Sequence, residues 1–132
     1  MSADIYWLTL TALVTALMWV PYILNRIAVR GLIGATRNPS PDAKPHAPWA
    51  ERAILAHKNA VENLVIFAAV VLAADAAGAS NGLTATAAMI VFFARVAHYA
   101  IYIAGVPFLR TLAFAAGAFA QIAIALTVLG WL

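Results

Sequence analysis

The chain has 132 residues, 65% of them hydrophobic and 10% charged, with a formal net charge of +3 and no cysteine. Soluble domains are about 45–50% apolar and about 25% charged, so the composition excludes an ordinary soluble fold and predicts an integral membrane protein. Without cysteine there are no disulfides, no catalysis by a protein thiolate and no thiolate metal site. Any sulfur chemistry has to come from a bound thiol, and no metal site is predicted. The basic residues cluster at the ends of apolar runs, where membrane topology accounts for them better than nucleic acid does. A spanning helix takes about 20 apolar residues. The chain therefore has room for four spans and short loops: an all-α membrane four-helix bundle, one domain over 1–132.

The first span is predicted over about 5–29. The segment before it, MSADIYWL, lacks the basic n-region of a cleavable signal, so the span is read as retained. Pro21 removes a backbone donor and predicts a kink. Arg26 and Arg30 follow at i, i+4, placed to snorkel toward the headgroups. The stretch Gly31 to Ala50 carries Pro39, Pro41, Pro45 and Pro48, which forbid regular structure. It is read as the one long loop, packing over the helix ends, with His46 solvated within it. The second span covers about 49–77, and the turn GASNG leads to the third, about 83–105. Gly105, Val106 and Pro107 make a tight connection to the fourth, about 107–132. The run Ala113, Ala115, Ala116, Gly117, Ala118 and Ala120 allows neighbouring backbones to approach closely.

Three of these spans carry polar residues where hydrocarbon is expected. The second has His57, Lys58, Asn59, Glu62 and Asn63, with Asn59, Glu62 and Asn63 on one helical face. The third has Arg95, His98 and Tyr102 at i, i+3, i+7, again on one side. The fourth has Arg110 and Thr111 in its first turns. At about 1.5 Å per residue, Glu62 lies roughly 12 Å past Ile54, and Arg95 and His98 roughly 15 and 10 Å before Gly105. All fall at matching depth. A charge at the bilayer centre costs at least about 2.5–3.5 kcal/mol, so Glu62 and Arg95 are expected to pair. The remaining excess is cationic and predicts a cavity for a polar anionic ligand.

Lysine and arginine flank the first and third loops and are absent from the termini and the second loop. The positive-inside rule then puts loops 1 and 3 in the cytoplasm and both termini on the other side.

The run ERAILAHKNAVENL resembles the E-R-x-x-R-A-H-x-N-x-x-E-N pattern of the membrane-associated proteins in eicosanoid and glutathione metabolism. ARVAHYAIY, followed by a proline and Leu109-Arg110-Thr111, is similar to that family's R-x-x-H-x-x-x-Y…R-[ST] pattern. Arg30 with Asn38-Pro39 gives a third, weaker likeness. The match covers essentially the whole chain, and the members it resembles are bacterial-type proteins of the microsomal glutathione transferase kind. The resemblance implies a bacterial inner membrane as the location, and a homotrimer with glutathione, as cosubstrate, bound between adjacent subunits. His57, Lys58, Asn59, Glu62, Arg95, His98 and Tyr102 would hold the tripeptide, with Arg30 reaching in from the neighbouring subunit. Arg110 and Thr111 would face the sulfur.

Three positions depart from the family pattern: Leu55 replaces an arginine, Lys58 stands where arginine is frequent, and Phe114 stands where some members have tyrosine. The implied activity is transfer of glutathione to lipophilic electrophiles arriving through the bilayer, or reduction of lipid hydroperoxides. The alternative is a non-catalytic lipid-binding or scaffold protein on the same fold. An intramembrane proton path is disfavoured, because Asp75 and Gln121 alone make no route to the outer side.

Overall fold

A computed structural model describes residues 1–132. It is entirely helical: α1 Ala3–Leu17, α2 Val20–Ala35, α3 Pro48–Ala76, α4 Gly82–Ala104 and α5 Pro107–Val128. Ala3–Ala35, α3, α4 and α5 are each long and apolar enough to cross a bilayer. The molecule is thus an integral membrane protein with four spans, the first of them broken.

The break falls at Met18 and Trp19, one turn before Pro21 rather than at it. Proline has no N–H to offer the carbonyl four residues back, and its ring presses on that carbonyl; for Pro21 this is Leu17, the last residue of α1. The carbonyl of Met18 instead accepts a hydrogen bond from the Tyr99 hydroxyl of α4 at 2.8 Å. A backbone group exposed by the break is thereby satisfied inside the protein, as a nonpolar medium requires. A second interruption lies at Gly31, whose φ of 74° and ψ of 167° turn the chain before Leu32–Ala35 add a last helical turn.

The other ends follow local chemistry. Ser2 caps α1 by accepting from the Ile5 N–H at 3.2 Å. Pro48 opens α3 and Pro107 opens α5, each at a position where the missing N–H costs nothing. Asn81 and Thr84 form a reciprocal capping box at the start of α4. Gly105 closes α4 in the left-handed region, φ 80°, a conformation that costs other residues about 1–2 kcal/mol. The Arg52 guanidinium of α3 sits over this end, and its Nε donates to the Ile103 carbonyl at 2.9 Å. A cation at a helix C-terminus also opposes the negative end of the dipole.

Helix α4 is the hub, packing on α5, α3 and α1. Its buried stripe is Thr84, Ala87, Ala88, Val91, Ala94, Arg95 and His98. The apolar core lies along the first part of that stripe, where Val91 and Ala88 meet Phe67, Val71 and Ala74 of α3, Leu8 of α1 and Ile124 of α5. Large apolar side chains such as Leu13, Val65, Phe93 and Phe119 are exposed on the protein surface, as lipid-facing spans require. Towards the loop-1 end the same α4 stripe turns polar.

The loop is fastened down rather than loose. The Ala47 N–H donates to Asn25 Oδ1 at 3.0 Å, and Arg30 Nε donates to the Lys44 carbonyl at 2.7 Å. Arg26 Nε donates to His46 Nε2 at 3.1 Å, and His46 Nδ1 lies 3.1 Å from Glu51 Oε1. The His46 side chain is only 7% exposed. The expectation of a solvated His46 is therefore corrected: the ring bridges the end of the first span and the start of α3. Arg26, expected to snorkel, is one of its two anchors.

Candidate functional site

The polar end of the α4 stripe forms the candidate site. Arg95 is 3% exposed. Its Nη2 donates to Asn59 Oδ1 of α3 at 2.6 Å and lies 3.3 Å from Nδ1 of His98. Asn59 is itself steadied by Asn63, whose Nδ2 donates to the Asn59 carbonyl at 3.0 Å and to Oδ1 at 3.3 Å. The His98 ring stands edge-on to Tyr102, centroids 5.6 Å apart, and the Arg110 guanidinium lies 4.2 Å above the Tyr102 ring. Asn59, Arg95, His98, Tyr102 and Arg110 thus form one connected row across α3, α4 and α5. Phe114 flanks it, 6.3 Å from the His98 ring. Gly117 of α5 packs against the row: a β-carbon there would lie in ordinary contact with the Arg95 Cδ, at 3.7 Å.

The electrostatics of the row are lopsided. Arg95 has no carboxylate within ion-pair distance, since the protein's one such pair is His46 with Glu51. Its Nε and Nη1 have no hydrogen-bond partner at all. A buried guanidinium normally has its donors satisfied, and leaving each unmade costs about 1–3 kcal/mol or more. The expected Glu62–Arg95 ion pair does not form. Glu62 lies one turn beyond Asn59 and is exposed on the outside of the subunit. Asn59, three residues earlier on the same face, takes the position facing Arg95 instead.

The remaining sequence candidates fall into two groups. Lys58 is exposed beside the row without a bonded partner. Thr111 is exposed, and its hydroxyl turns back to the Pro107 carbonyl at 3.1 Å. Three residues lie apart from the row. His57 is two residues from Asn59, so about 200° round the helix, and its Nδ1 lies 2.7 Å from the Tyr22 hydroxyl. Arg30 is near the end of α2, its Nε bonded to the loop carbonyl of Lys44. Glu62 is the third.

Sequence reasoning also missed several tethers, namely Tyr22 on His57, Tyr99 on Met18, Arg52 on Ile103 and Asn25 on Ala47. Only Arg52 carried a signal, being a cation at the foot of a span. The others join residues with no spacing rule between them.

Arg95 is thus a buried, uncompensated cation between three spans of a polytopic membrane protein, and its free donors could accept a polar anionic ligand. Residues 5–130 match the profile of the MAPEG family, and the chain belongs to that family. No curated protein and no solved structure matches it. Membership is consistent with a glutathione-related function in the membrane.

Proposed function

We propose that the protein is a glutathione-dependent membrane enzyme that transfers glutathione to lipophilic electrophiles or reduces lipid hydroperoxides. The observation that carries this reading is Arg95, a buried cation with two unpartnered nitrogens and no carboxylate. Glutathione brings two carboxylates, and one of them would supply the missing charge and acceptors. Bidentate carboxylate binding is what a guanidinium does best. Asn59, Tyr102 and the exposed Lys58 would contact the rest of the tripeptide, and His98 would hold the Arg95 fork in position.

Arg110 would then face the sulfur. It lies in the first turn of α5, where the positive helix end adds to its own charge. An unperturbed thiol has a pKa of about 8.5, and a neighbouring cation lowers it. The resulting thiolate attacks an electrophilic carbon, forms the C–S bond and displaces the leaving group with its electron pair. With a hydroperoxide it attacks the terminal oxygen. The O–O bond breaks, the alkoxide takes a proton, and a second glutathione converts the sulfenic acid to disulfide and water.

The working unit is a homotrimer with shared sites. Glu62 and Lys58 are exposed on a single subunit within an apolar span. Hydrocarbon there would cost at least about 2.5–3.5 kcal/mol per charge, and a neighbouring subunit would replace it. Arg30, the other member of the expected site, would join from that neighbour. Loops 1 and 3 would face the cytoplasm, on the distribution of lysine and arginine, and the membrane would be a bacterial inner membrane, on the likeness to bacterial-type members of the family.

Ultraviolet titration of the purified protein with glutathione tests the reading. Thiolate absorbance should appear at neutral pH, and the detergent-corrected mass should be that of three subunits. Glutathione binding without thiolate would favour the non-catalytic alternative. No binding at all would refute the proposal.

A further inference from the structure

The first loop carries a second cationic feature, apart from the Arg95 row. A cleft of about 350 Å³ opens between the end of α2 and the loop, lined by Arg30, Arg37 and Lys44, with Asn38, Ser40 and Asp42. That volume falls in the range of small-ligand pockets. None of the three cations has a carboxylate within ion-pair distance, although Asp42 shares the cleft. The Arg30 Nε donates to the Lys44 carbonyl at 2.7 Å, which fixes the cleft's width and leaves its terminal nitrogens without a protein partner.

The rim of this cleft is apolar. Gly31, with φ 74°, swings the following turn outward, and Leu32 and Ile33 on it are 69% and 75% exposed. Together with Arg30, Gly34 and Arg37 they line an adjoining hollow. Arg37 and Lys44, without ion-pair partners, beside two outward apolar side chains at the foot of a membrane span match one chemistry: an anionic head joined to hydrocarbon. A soluble anion would use the cations and leave Leu32 and Ile33 in water. A bare acyl chain would use the apolar pair and leave the cations unpaired.

We infer that this cleft holds the phosphate headgroup of an anionic phospholipid, with Arg37 and Lys44 on the phosphate, Asn38 and Ser40 on headgroup hydroxyls, and Leu32 and Ile33 beside the first acyl carbons. Basic pockets at the cytoplasmic ends of spans suit such headgroups. The bound lipid pins the loop to the membrane surface and, through the Arg30–Lys44 bond and the Arg26–His46 bridge, steadies the start of α3. Arg37 and Lys44 carry the inference, so it does not depend on whether Arg30 serves the glutathione site.

The test places the purified protein in nanodiscs of phosphatidylcholine with graded dioleoylphosphatidylglycerol and counts retained lipid by native mass spectrometry. Wild type should retain phosphatidylglycerol over phosphatidylcholine. A cation near an anionic surface contributes about fivefold in affinity, so Arg37→Gln with Lys44→Gln should weaken retention about 25-fold. Leu32→Ser with Ile33→Ser should weaken it about tenfold or more. Glycerol phosphate and inorganic phosphate should not compete at millimolar concentration.

Unchanged retention in the Arg37/Lys44 variant overturns the site. Competition by either phosphate as strong as by lipid overturns the lipid assignment in favour of a soluble anion. A Leu32/Ile33 variant that changes the number of subunits in the assembly but not lipid retention makes the apolar turn a subunit contact and overturns its role here. Thiolate absorbance, followed in the same variants, separates failure of this inference from failure of the glutathione reading.

Discussion

The bond between Asn59 and Arg95 can be tested by a double-substitution cycle, because the structure assigns opposite outcomes to its two ends. Asn59→Leu removes the 2.6 Å bond and leaves Nη2 with only His98, at 3.3 Å. Nε and Nη1 are already without partners, so a buried cation would be nearly bare. A hydrogen bond to a charged group contributes about 1.5–3 kcal/mol, and stranding a buried charge costs about 3–5 kcal/mol. A loss of about 3 kcal/mol is expected.

Arg95→Met deletes the charge together with its unsatisfied nitrogens, and replacement of buried ions by apolar side chains is frequently neutral or stabilising. In that background Asn59→Leu should cost less than about 1 kcal/mol. Asn63 would lose its 3.3 Å contact with the Asn59 side chain but keep its 3.0 Å bond to the carbonyl. The coupling should therefore be about 2 kcal/mol, well above the few tenths seen for independent sites. Unfolding of the detergent-solubilised protein, followed by circular dichroism against a denaturing detergent, measures all four species. If the single effects add within about 0.5 kcal/mol, or Arg95→Met is the more damaging substitution, then Arg95 is compensated elsewhere and the argument for a missing anion fails. The same Arg95→Met protein should fold and yet bind no glutathione.

Other outcomes follow from the same geometry. Arg110→Ala should raise the pKa of bound glutathione by about 1–3 units and cut turnover, with a smaller loss of affinity; wild-type thiolate absorbance in folded Arg110→Ala trimers would end its catalytic assignment. Tyr102→Phe keeps the ring beneath Arg110 and should leave the thiolate signal nearly unchanged, whereas Tyr102→Leu, which removes a cation–π contact of about 0.5–2 kcal/mol, should lower it. Gly105→Ala forces a side chain into the left-handed region beside Arg52 and should cost about 1–2 kcal/mol in unfolding experiments. Tyr99→Phe leaves the Met18 carbonyl without its partner and should destabilise by about 1–3 kcal/mol.

The four spans were legible because hydrocarbon imposes a length and forbids charge, so helix existence follows from composition alone. Gly105 and Pro107 were legible as a junction, since one supplies positive φ and the other a free first turn. The face of Arg95, His98 and Tyr102 was legible too. Their 3.6-residue spacing puts them on one side, and the cost of a charge in lipid says that side is covered. What covers it was not legible. Asn59 and Glu62 share a face one turn apart, so either could meet Arg95, and charge complementarity favoured Glu62. The choice rests on the register of α3 against α4, which a one-turn slide of about 5.4 Å would reverse.

Tertiary structure alone decided that register, and with it that Arg95 meets a neutral amide while Glu62 faces outward. It likewise placed His57 on Tyr22 rather than in the row, and gave the Pro21 break a partner in Tyr99, 81 residues from Met18. It also buried His46 between Arg26 and Glu51. Each of these depends on which side chains from separate spans arrive at the same depth and rotation. Sequence determines depth through apolar length and rotation through periodicity, but only to within about a turn. A hydrogen bond needs its atoms within about 3 Å. That precision comes from the packing of small residues such as Ala94 against Gly117, which sets how closely the helices approach.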